Sequence, residues 1–155
     1  MTNTIDSSPL GQKTSYVSRY DPSLLFPIAR KESRVALGAW DSLPFYGVDV
    51  WTGYEVSWLN SNGKPQVAVA EFSIPCDSPF IIESKSFKLY LNSFNQSVFE
   101  NFDAVINAMS RDLSLVAGSG ITVSLQSLND TRLLIDCTFE SICLDDLDVN
   151  VTVYQ

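Results

Sequence analysis

The stretch TGYEVSWLNSNGKPQVAVAEFSI, residues 52–74, decides the class of the fold. Apolar and polar residues alternate before the tetrapeptide Asn60-Ser61-Asn62-Gly63, and strand-like residues resume after it at 66–74. Alternation with a period of two is typical of a strand with one buried face, and an Asn-Gly pair between two such runs is typical of a tight turn. The stretch therefore predicts an antiparallel β-hairpin.

After the hairpin the apolar period changes to that of a helix. Four residues recur at the spacing i, i+3, i+4 and i+7, namely Phe87, Tyr90, Leu91 and Phe94. They predict a helix that begins near Glu83. A second helix is predicted from Ser97, because Ser97 and Glu100 have the spacing of a capping box, and it ends at Gly118. Its apolar stripe consists of Val98, Phe102, Val105, Met109, Leu113 and Val116.

Strand-like alternation returns in residues 121–125, 133–139 and 149–153. The order is β-β-α-α-β-β with one further strand, and it predicts an α+β fold with an antiparallel sheet and two helices on one face. A doubly wound parallel sheet is excluded, because strands and helices do not alternate. The final strand would leave a bare sheet edge, so we expect either assembly through this sheet or a longer parent protein.

The first third of the chain has no clean period. Residues 1–18 are polar, and residues 20–51 contain Pro22, Pro27 and Pro44. Proline interrupts regular structure, so we expect a polar arm and then an irregular wrapping segment with at most one helical turn. This division assigns the arm and the wrapping segment to residues 1–50 and the folded module to residues 51–155.

Composition excludes several classes of mechanism. The 155 residues suit one domain, and they include ten Lys and Arg, eighteen Asp and Glu and no histidine, for a net charge of −8. Without histidine, Ser-His-Asp and Cys-His mechanisms and imidazole metal sites are excluded. The negative charge argues against a nucleic-acid surface and a basic membrane-binding face. We expect no metal, no nucleic-acid partner and no membrane partner.

The cysteines and the apolar runs indicate a cytoplasmic location. Cys76, Cys137 and Cys143 form no C-x-x-C pair, which favours reduced thiols. The first ten residues have no apolar signal core, and no run approaches the roughly 20 apolar residues of a membrane span. The acidic residues 140–148 lack the spacing of a calcium loop, and the chain has no glycine-rich phosphate loop.

The first turn of the first helix carries the most informative residues. Glu83, Ser84 and Lys85 place a carboxylate, a hydroxyl and an ammonium beside the free N–H groups of a helix start. Such a turn suits an anion, and the Glu83 carboxylate could accept two N–H groups from the amidine-like edge of a heterocycle. The alternative from spacing alone is a capped helix with solvated charges.

Residues 83–90, ESKSFKLY, resemble the signature of the NADPH-dependent 7-cyano-7-deazaguanine reductases, and the similarity continues through LNSFNQ at residues 91–96. Four further segments are similar to the two-module branch of that family: YDPSLL at 20–25, LPFYG at 43–47, EVSWLN at 55–60 and CLDDLD at 143–148. The resemblance covers nearly the whole chain, but it covers the N-terminal module of the family alone.

This resemblance implies a tunnelling fold and a role in the queuosine pathway of tRNA modification. Enzymes of the family reduce the nitrile of 7-cyano-7-deazaguanine to a primary amine with two NADPH. The resemblance implies that Ile82, Glu83 and Ser84 bind the deazaguanine and that Ser84 and Lys85 contact NADPH. It also implies self-association into a homodimer, because tunnelling-fold modules generally close their sheets by pairing with similar modules.

The chain departs from the family pattern where the reaction takes place. The positions of the family's nucleophilic cysteine and its proton-handling aspartate correspond to about Leu59 and to Gln66, and no His-Glu pair follows the signature. We therefore expect no catalytic residue in this chain and expect these groups in a C-terminal catalytic module. The alternatives are a non-catalytic scaffold or dimerisation module, and a pterin-type tunnelling-fold enzyme, which would need zinc ligands.

Overall fold

The predicted hairpin forms the centre of the fold. The computed structural model describes Ser8, Pro9, Gly11, Lys13 and residues 17–38 and 43–128. After a 3-10 helix at Pro22–Leu24, the elements in chain order are β1 (Pro27–Ala29), α1 (Arg30–Leu37), β2 (Val48–Leu59), β3 (Pro65–Pro75), β4 (Phe80–Ile82), α2 (Ser84–Ser93), α3 (Phe102–Ala117) and β5 (Thr122–Ser127). No helix in these ranges is long and apolar enough to cross a membrane.

Two antiparallel sheets organise the chain. Strands β2, β3 and β5 form a three-stranded sheet in that order, and β1 pairs with β4 in a two-stranded sheet. The β2–β3 turn closes with a hydrogen bond of 2.8 Å from the Gly63 N–H to the Asn60 carbonyl, and Gly63 has a φ of +74°. A positive φ favours glycine, so the Asn-Gly prediction of a hairpin is confirmed.

The core lies between one face of the three-stranded sheet and helices α2 and α3. Its buried sheet residues are Val56, Trp58, Ala68, Ala70, Phe72, Ile74 and Val123. Phe87 of α2 packs edge-on against Phe72 with the ring centroids 4.9 Å apart, and Phe102 of α3 packs against Trp58 at 5.0 Å. These contacts confirm the α+β class with two helices on one face of an antiparallel sheet. The arrangement is consistent with the tunnelling fold.

The prediction that the second helix begins at Ser97 was wrong, because α3 begins at Phe102. The Leu59 N–H donates to the Ser97 carbonyl, and the Phe99 N–H donates to the Leu59 carbonyl, both at 2.9 Å. This bridge to the end of β2 keeps the segment extended, and Asn101 caps α3 through its side-chain oxygen. Val98 therefore lies outside the apolar stripe and is 59% exposed. The predicted stop at Gly118 is confirmed.

The prediction of at most one helical turn in residues 20–51 was also wrong. Helix α1 spans eight residues, and β1 pairs with β4 through the register Pro27–Ile82. Residues 30–37 have the sequence RKESRVAL, which is made mostly of good helix formers and contains no proline. The flanking prolines therefore mark the ends of regular structure in this segment and do not exclude it.

Several predictions concern residues outside the described ranges. They are most of the arm at residues 1–18, the strands at 133–139 and 149–153, the acidic residues 140–148, and the thiols of Cys137 and Cys143. The division of the chain at residue 50 stays a prediction.

Candidate functional site

Glu83 lies at the junction of β4 and α2 and caps the helix. Its Oε1 accepts the Lys85 N–H at 2.8 Å, and its Oε2 accepts the Ser86 N–H at 2.7 Å. A carboxylate at this position satisfies two free N–H groups and interacts favourably with the positive end of the helix dipole. The residue is 4% exposed, so the carboxylate is held in one place.

A closed circuit of hydrogen bonds fixes the backbone of Glu83. Its N–H donates to the Phe26 carbonyl at 2.9 Å, and the Phe26 N–H donates to the Ser86 Oγ at 3.0 Å. The Ser86 hydroxyl in turn donates to the Glu83 carbonyl at 2.7 Å. The segment before β1 therefore determines where the first turn of α2 lies, although it precedes that turn by about sixty residues.

The other predicted site residues occupy different environments. Ser84 is exposed, and its hydroxyl lies 3.5 Å from the Glu83 Oε1. Lys85 is half-buried, and its Nζ donates to the Pro9 carbonyl at 2.9 Å. Ile82 is buried in the core. The structure thus brings Glu83, Ser84 and Lys85 together on one helical turn and places the Ile82 side chain among apolar neighbours.

A groove of about 560 Å³ runs between β2 and α2 and begins at Ser84. Its residues are Trp51, Thr52, Gly53, Tyr54 and Glu55 from the strand and Ser84, Phe87, Lys88, Leu91 and Asn92 from the helix. The β2–β3 register shifts between Gly53 and Val56, so a bulge shapes the strand wall. The groove combines aromatic walls with one carboxylate and one ammonium, a mixture that suits a flat polar ligand.

Apart from Ser84, sequence reasoning missed the residues on both sides of this groove. Ser84, Lys88 and Asn92 follow one another at i, i+4 and i+8, so helical spacing alone predicts that they share a face. No local signal pairs them with Trp51 or Glu55, because that contact depends on how α2 crosses the sheet. Trp51 packs edge-on against Phe87 with the ring centroids 5.2 Å apart.

A buried carboxylate holds the N-terminal segment against the helices. Asp112 Oδ2 accepts hydrogen bonds from the Tyr20 and Tyr90 hydroxyls, and its Oδ1 accepts two from Arg111. Burial, followed by the hydrogen bond to Asp112, raises the pKa of Tyr20 to about 12. The same causes raise the pKa of Tyr90 well above its usual value. Both phenols therefore stay protonated as donors at neutral pH.

The two positions at which the resemblance implies a nucleophilic cysteine and an aspartate lie on neighbouring strands of the hairpin, with Leu59 opposite Pro65 and Gln66 opposite Trp58. Leu59 lies at the end of β2, and Gln66 near the start of β3 donates its side-chain amide to the Pro65 carbonyl at 2.8 Å. Neither side chain can act as a nucleophile or carry a proton at neutral pH. Among the described residues, no group of three or more His, Cys, Asp and Glu could hold a metal ion.

Comparison with known proteins agrees with the family resemblance found in the sequence. A family model described as nitrile reductase, 7-cyano-7-deazaguanine reductase N-terminal, matches residues 16–125. The chain is 51% identical over 152 residues to the NADPH-dependent 7-cyano-7-deazaguanine reductase of Paraburkholderia xenovorans, covering 98% of this chain and 56% of the relative. It is 55% identical over 150 residues to the reductase of the same name from Dechloromonas aromatica, covering 96% and 53%. The chain thus spans about half the length of these relatives.

Proposed function

The chain belongs to the 7-cyano-7-deazaguanine reductase family, and from that premise we propose that it is the N-terminal half of an NADPH-dependent nitrile reductase. The reaction converts 7-cyano-7-deazaguanine to 7-aminomethyl-7-deazaguanine for queuosine in tRNA, in the cytoplasm. The chain contributes binding groups, and a C-terminal module contributes the nucleophile and the proton-handling carboxylate.

The first turn of α2 carries this proposal, because it brings the fixed carboxylate of Glu83 next to the exposed Ser84 hydroxyl, which lines the groove. Each Glu83 oxygen accepts one backbone N–H, and Oε2, which is not the oxygen that the Ser84 hydroxyl approaches, has a second lone pair for a further donor. The amino and ring N–H groups on one edge of a deazaguanine are such donors. Ile82 contributes backbone to this edge, since its side chain is buried.

The groove fits a cofactor that has both flat and charged parts. The Ser84 hydroxyl and the Lys88 ammonium line it, and Lys85 lies on the adjoining surface of the first turn. These three residues would hold the polar groups of NADPH, and Trp51 and Phe87 would provide an apolar wall. NADPH supplies the hydride for the reduction when it is bound. The residues of this chain orient the ligands and exclude water.

The experiment compares the isolated 155-residue chain with the full-length reductase. The isolated chain should oxidise no NADPH in the presence of the nitrile, because it lacks the nucleophile. In the full-length enzyme, Glu83→Gln should raise the KM for the nitrile by about tenfold or more, as expected for loss of a hydrogen bond to a charged group. Glu100→Gln, a change at an exposed glutamate, is the matched control. Turnover by the isolated chain, or an unchanged KM in Glu83→Gln, contradicts the proposal.

A second candidate function is a non-catalytic scaffold or dimerisation module. The observation that favours it is the use of both Glu83 oxygens as helix caps, which is a structural role. Val48, Val50, Tyr54 and Val67 are exposed on the sheet and would be covered in a homodimer. Titration of the chain with NADPH and with the nitrile base separates the two functions, since a scaffold binds neither ligand. Light scattering measures the oligomeric state.

A further inference from the structure

Helix α1 forms one wall of a second cavity, of about 380 Å³, which shares no lining residue with the groove. Arg30, Ser33 and Arg34 line the cavity from the helix. Residues at i, i+3 and i+4 share one helical face, so two guanidinium groups and a hydroxyl point towards the same space. Two like charges one turn apart repel each other unless an anion lies near them.

Arg30 is already paired within the chain. Its Nε donates to the Ser78 Oγ at 3.0 Å, and its Nη2 forms an ion pair with Asp49. The Arg30 side chain is 11% exposed, and Asp49 is the single carboxylate among the described residues that line the cavity. Arg30 therefore stiffens the site, and it has its Nη1 group left for a ligand.

Arg34 is held in position, yet no described carboxylate forms an ion pair with it. Its Nη2 donates to the Cys76 carbonyl, and its guanidinium carbon lies 5.9 Å from the centroid of the Phe45 ring. The backbone contact and the ring restrict the orientation of the guanidinium plane, while the Nε and Nη1 groups keep their donors. An oriented guanidinium that still has N–H donors on Nε and Nη1 can donate charge-assisted hydrogen bonds to phosphate oxygens.

We propose that this cavity binds the phosphate group of a small organic phosphomonoester, with Arg34 as the principal contact. The ionised side chains that line it are Arg30, Arg34 and Asp49, which together carry one net positive charge in a chain whose net charge is −8. Ser33 supplies a further hydroxyl donor. Ile28, Phe45 and Ile81 form the apolar part of the wall and contact the organic part of the ester.

This site does not depend on the proposed reductase function, because none of its residues lines the groove and its ligand is not the nitrile. The test therefore uses neither NADPH nor nitrile. Isothermal titration of the 155-residue chain with phenyl phosphate measures the site, and inorganic phosphate should bind more weakly because it makes no apolar contact. Equal affinity for the two compounds contradicts the assignment of the apolar wall.

The Arg34→Gln variant removes the principal contact. Its affinity for phenyl phosphate should fall by about tenfold or more, the usual range for hydrogen bonds to a charged group. Arg19→Gln, a change at an exposed arginine, should leave the affinity unchanged. Circular dichroism of both variants verifies the fold. The absence of saturable binding to the unmodified chain, or equal binding by Arg34→Gln, overturns the proposal.

Two further measurements distinguish a ligand site from a purely structural arginine pair. Asp49→Asn should bind phenyl phosphate more tightly, because Asp49 competes with the ligand for Arg30. Phenyl phosphate should also slow the alkylation of the half-buried Cys76 by iodoacetamide, since Cys76 lines the same cavity. Peptide mass spectrometry measures the extent of alkylation at Cys76. No tightening in folded Asp49→Asn, or no protection of Cys76, counts against the site.

Discussion

Replacing Asp112 by alanine tests the contact that fastens the N-terminal segment to the helices. The carboxylate accepts hydrogen bonds from Tyr20, Tyr90 and Arg111, and these residues come from three different parts of the chain. Without this carboxylate the three donors differ in whether water can replace it as their hydrogen-bond partner. The Tyr90 hydroxyl is fully buried, whereas the Arg111 side chain is 68% exposed.

The expected loss of stability follows from those exposures. A buried hydroxyl without a partner costs about 1–3 kcal/mol, and the exposed Arg111 ion pair adds little because solvent screens it. We therefore expect Asp112→Ala to lower the free energy of unfolding by about 1–3 kcal/mol, mainly through the unpaired Tyr90 hydroxyl. Adding Tyr90→Phe removes the unpaired hydroxyl, so the double variant should be more stable than the sum of the single changes predicts by about 1–2 kcal/mol.

Urea unfolding of the unmodified chain, the two single variants and the double variant measures the coupling energy between Asp112 and Tyr90. Equal slopes of the unfolding free energy against urea concentration show that the same transition is compared in all four proteins. Asp103→Ala changes an exposed carboxylate in the first turn of the same helix and should cost less than about 1 kcal/mol. Additive effects of Asp112→Ala and Tyr90→Phe would refute the reasoning, because they would mean that the Tyr90 hydroxyl finds another partner.

Three further predictions concern stability. Gly118→Ala should lower the free energy of unfolding by about 1–3 kcal/mol, because φ at Gly118 is +69° and an added Cβ would lie 2.7 Å from a proline side chain. Gly120→Ala is the control in thermal unfolding, because a Cβ at residue 120 would have no neighbouring atom within 4 Å. Asn101→Ala removes the α3 cap and should cost about 1 kcal/mol in urea unfolding, and no change would contradict the observed helix start. The pKa values of Tyr20 and Tyr90 lie above the unfolded value of 10.0, so their protonated hydroxyls stabilise the fold below that pH. This stabilisation should decline as the pH rises through about 12, and it should decline less steeply in the Tyr20→Phe variant.

Local sequence pattern was sufficient to predict an element when the pattern and the element depend on the same few neighbouring residues. The Asn62-Gly63 pair predicts the turn of the β2–β3 hairpin, because glycine readily adopts the positive φ found there. The apolar period around Tyr90 predicts α2 for a similar reason, since a helix buries residues at fixed spacing. Glu83, Ser84 and Lys85 lie within one turn, so their proximity needs no tertiary information.

Local pattern was insufficient where a distant backbone competes with a local preference. Ser97 and Glu100 have the spacing of a capping box, but Leu59 offers an N–H and a carbonyl that pair with residues 97 and 99. Those strand-like bonds satisfy backbone groups near the end of β2, and the helix begins later. The sequence contains Asn101 as an alternative cap, but it has no feature that ranks the two sites without Leu59 in place.

By itself the sequence determined the order of most elements, the hairpin, helix α2 and the turn that carries the candidate binding residues, because each depends on spacing within about ten residues. The tertiary structure alone decided the groove between Trp51 and Lys88, the circuit that holds Glu83, and the cavity beside Arg34. Each of these joins residues that are tens of positions apart in the chain. Side-chain packing against the sheet, and the need to satisfy buried polar groups, select those neighbours.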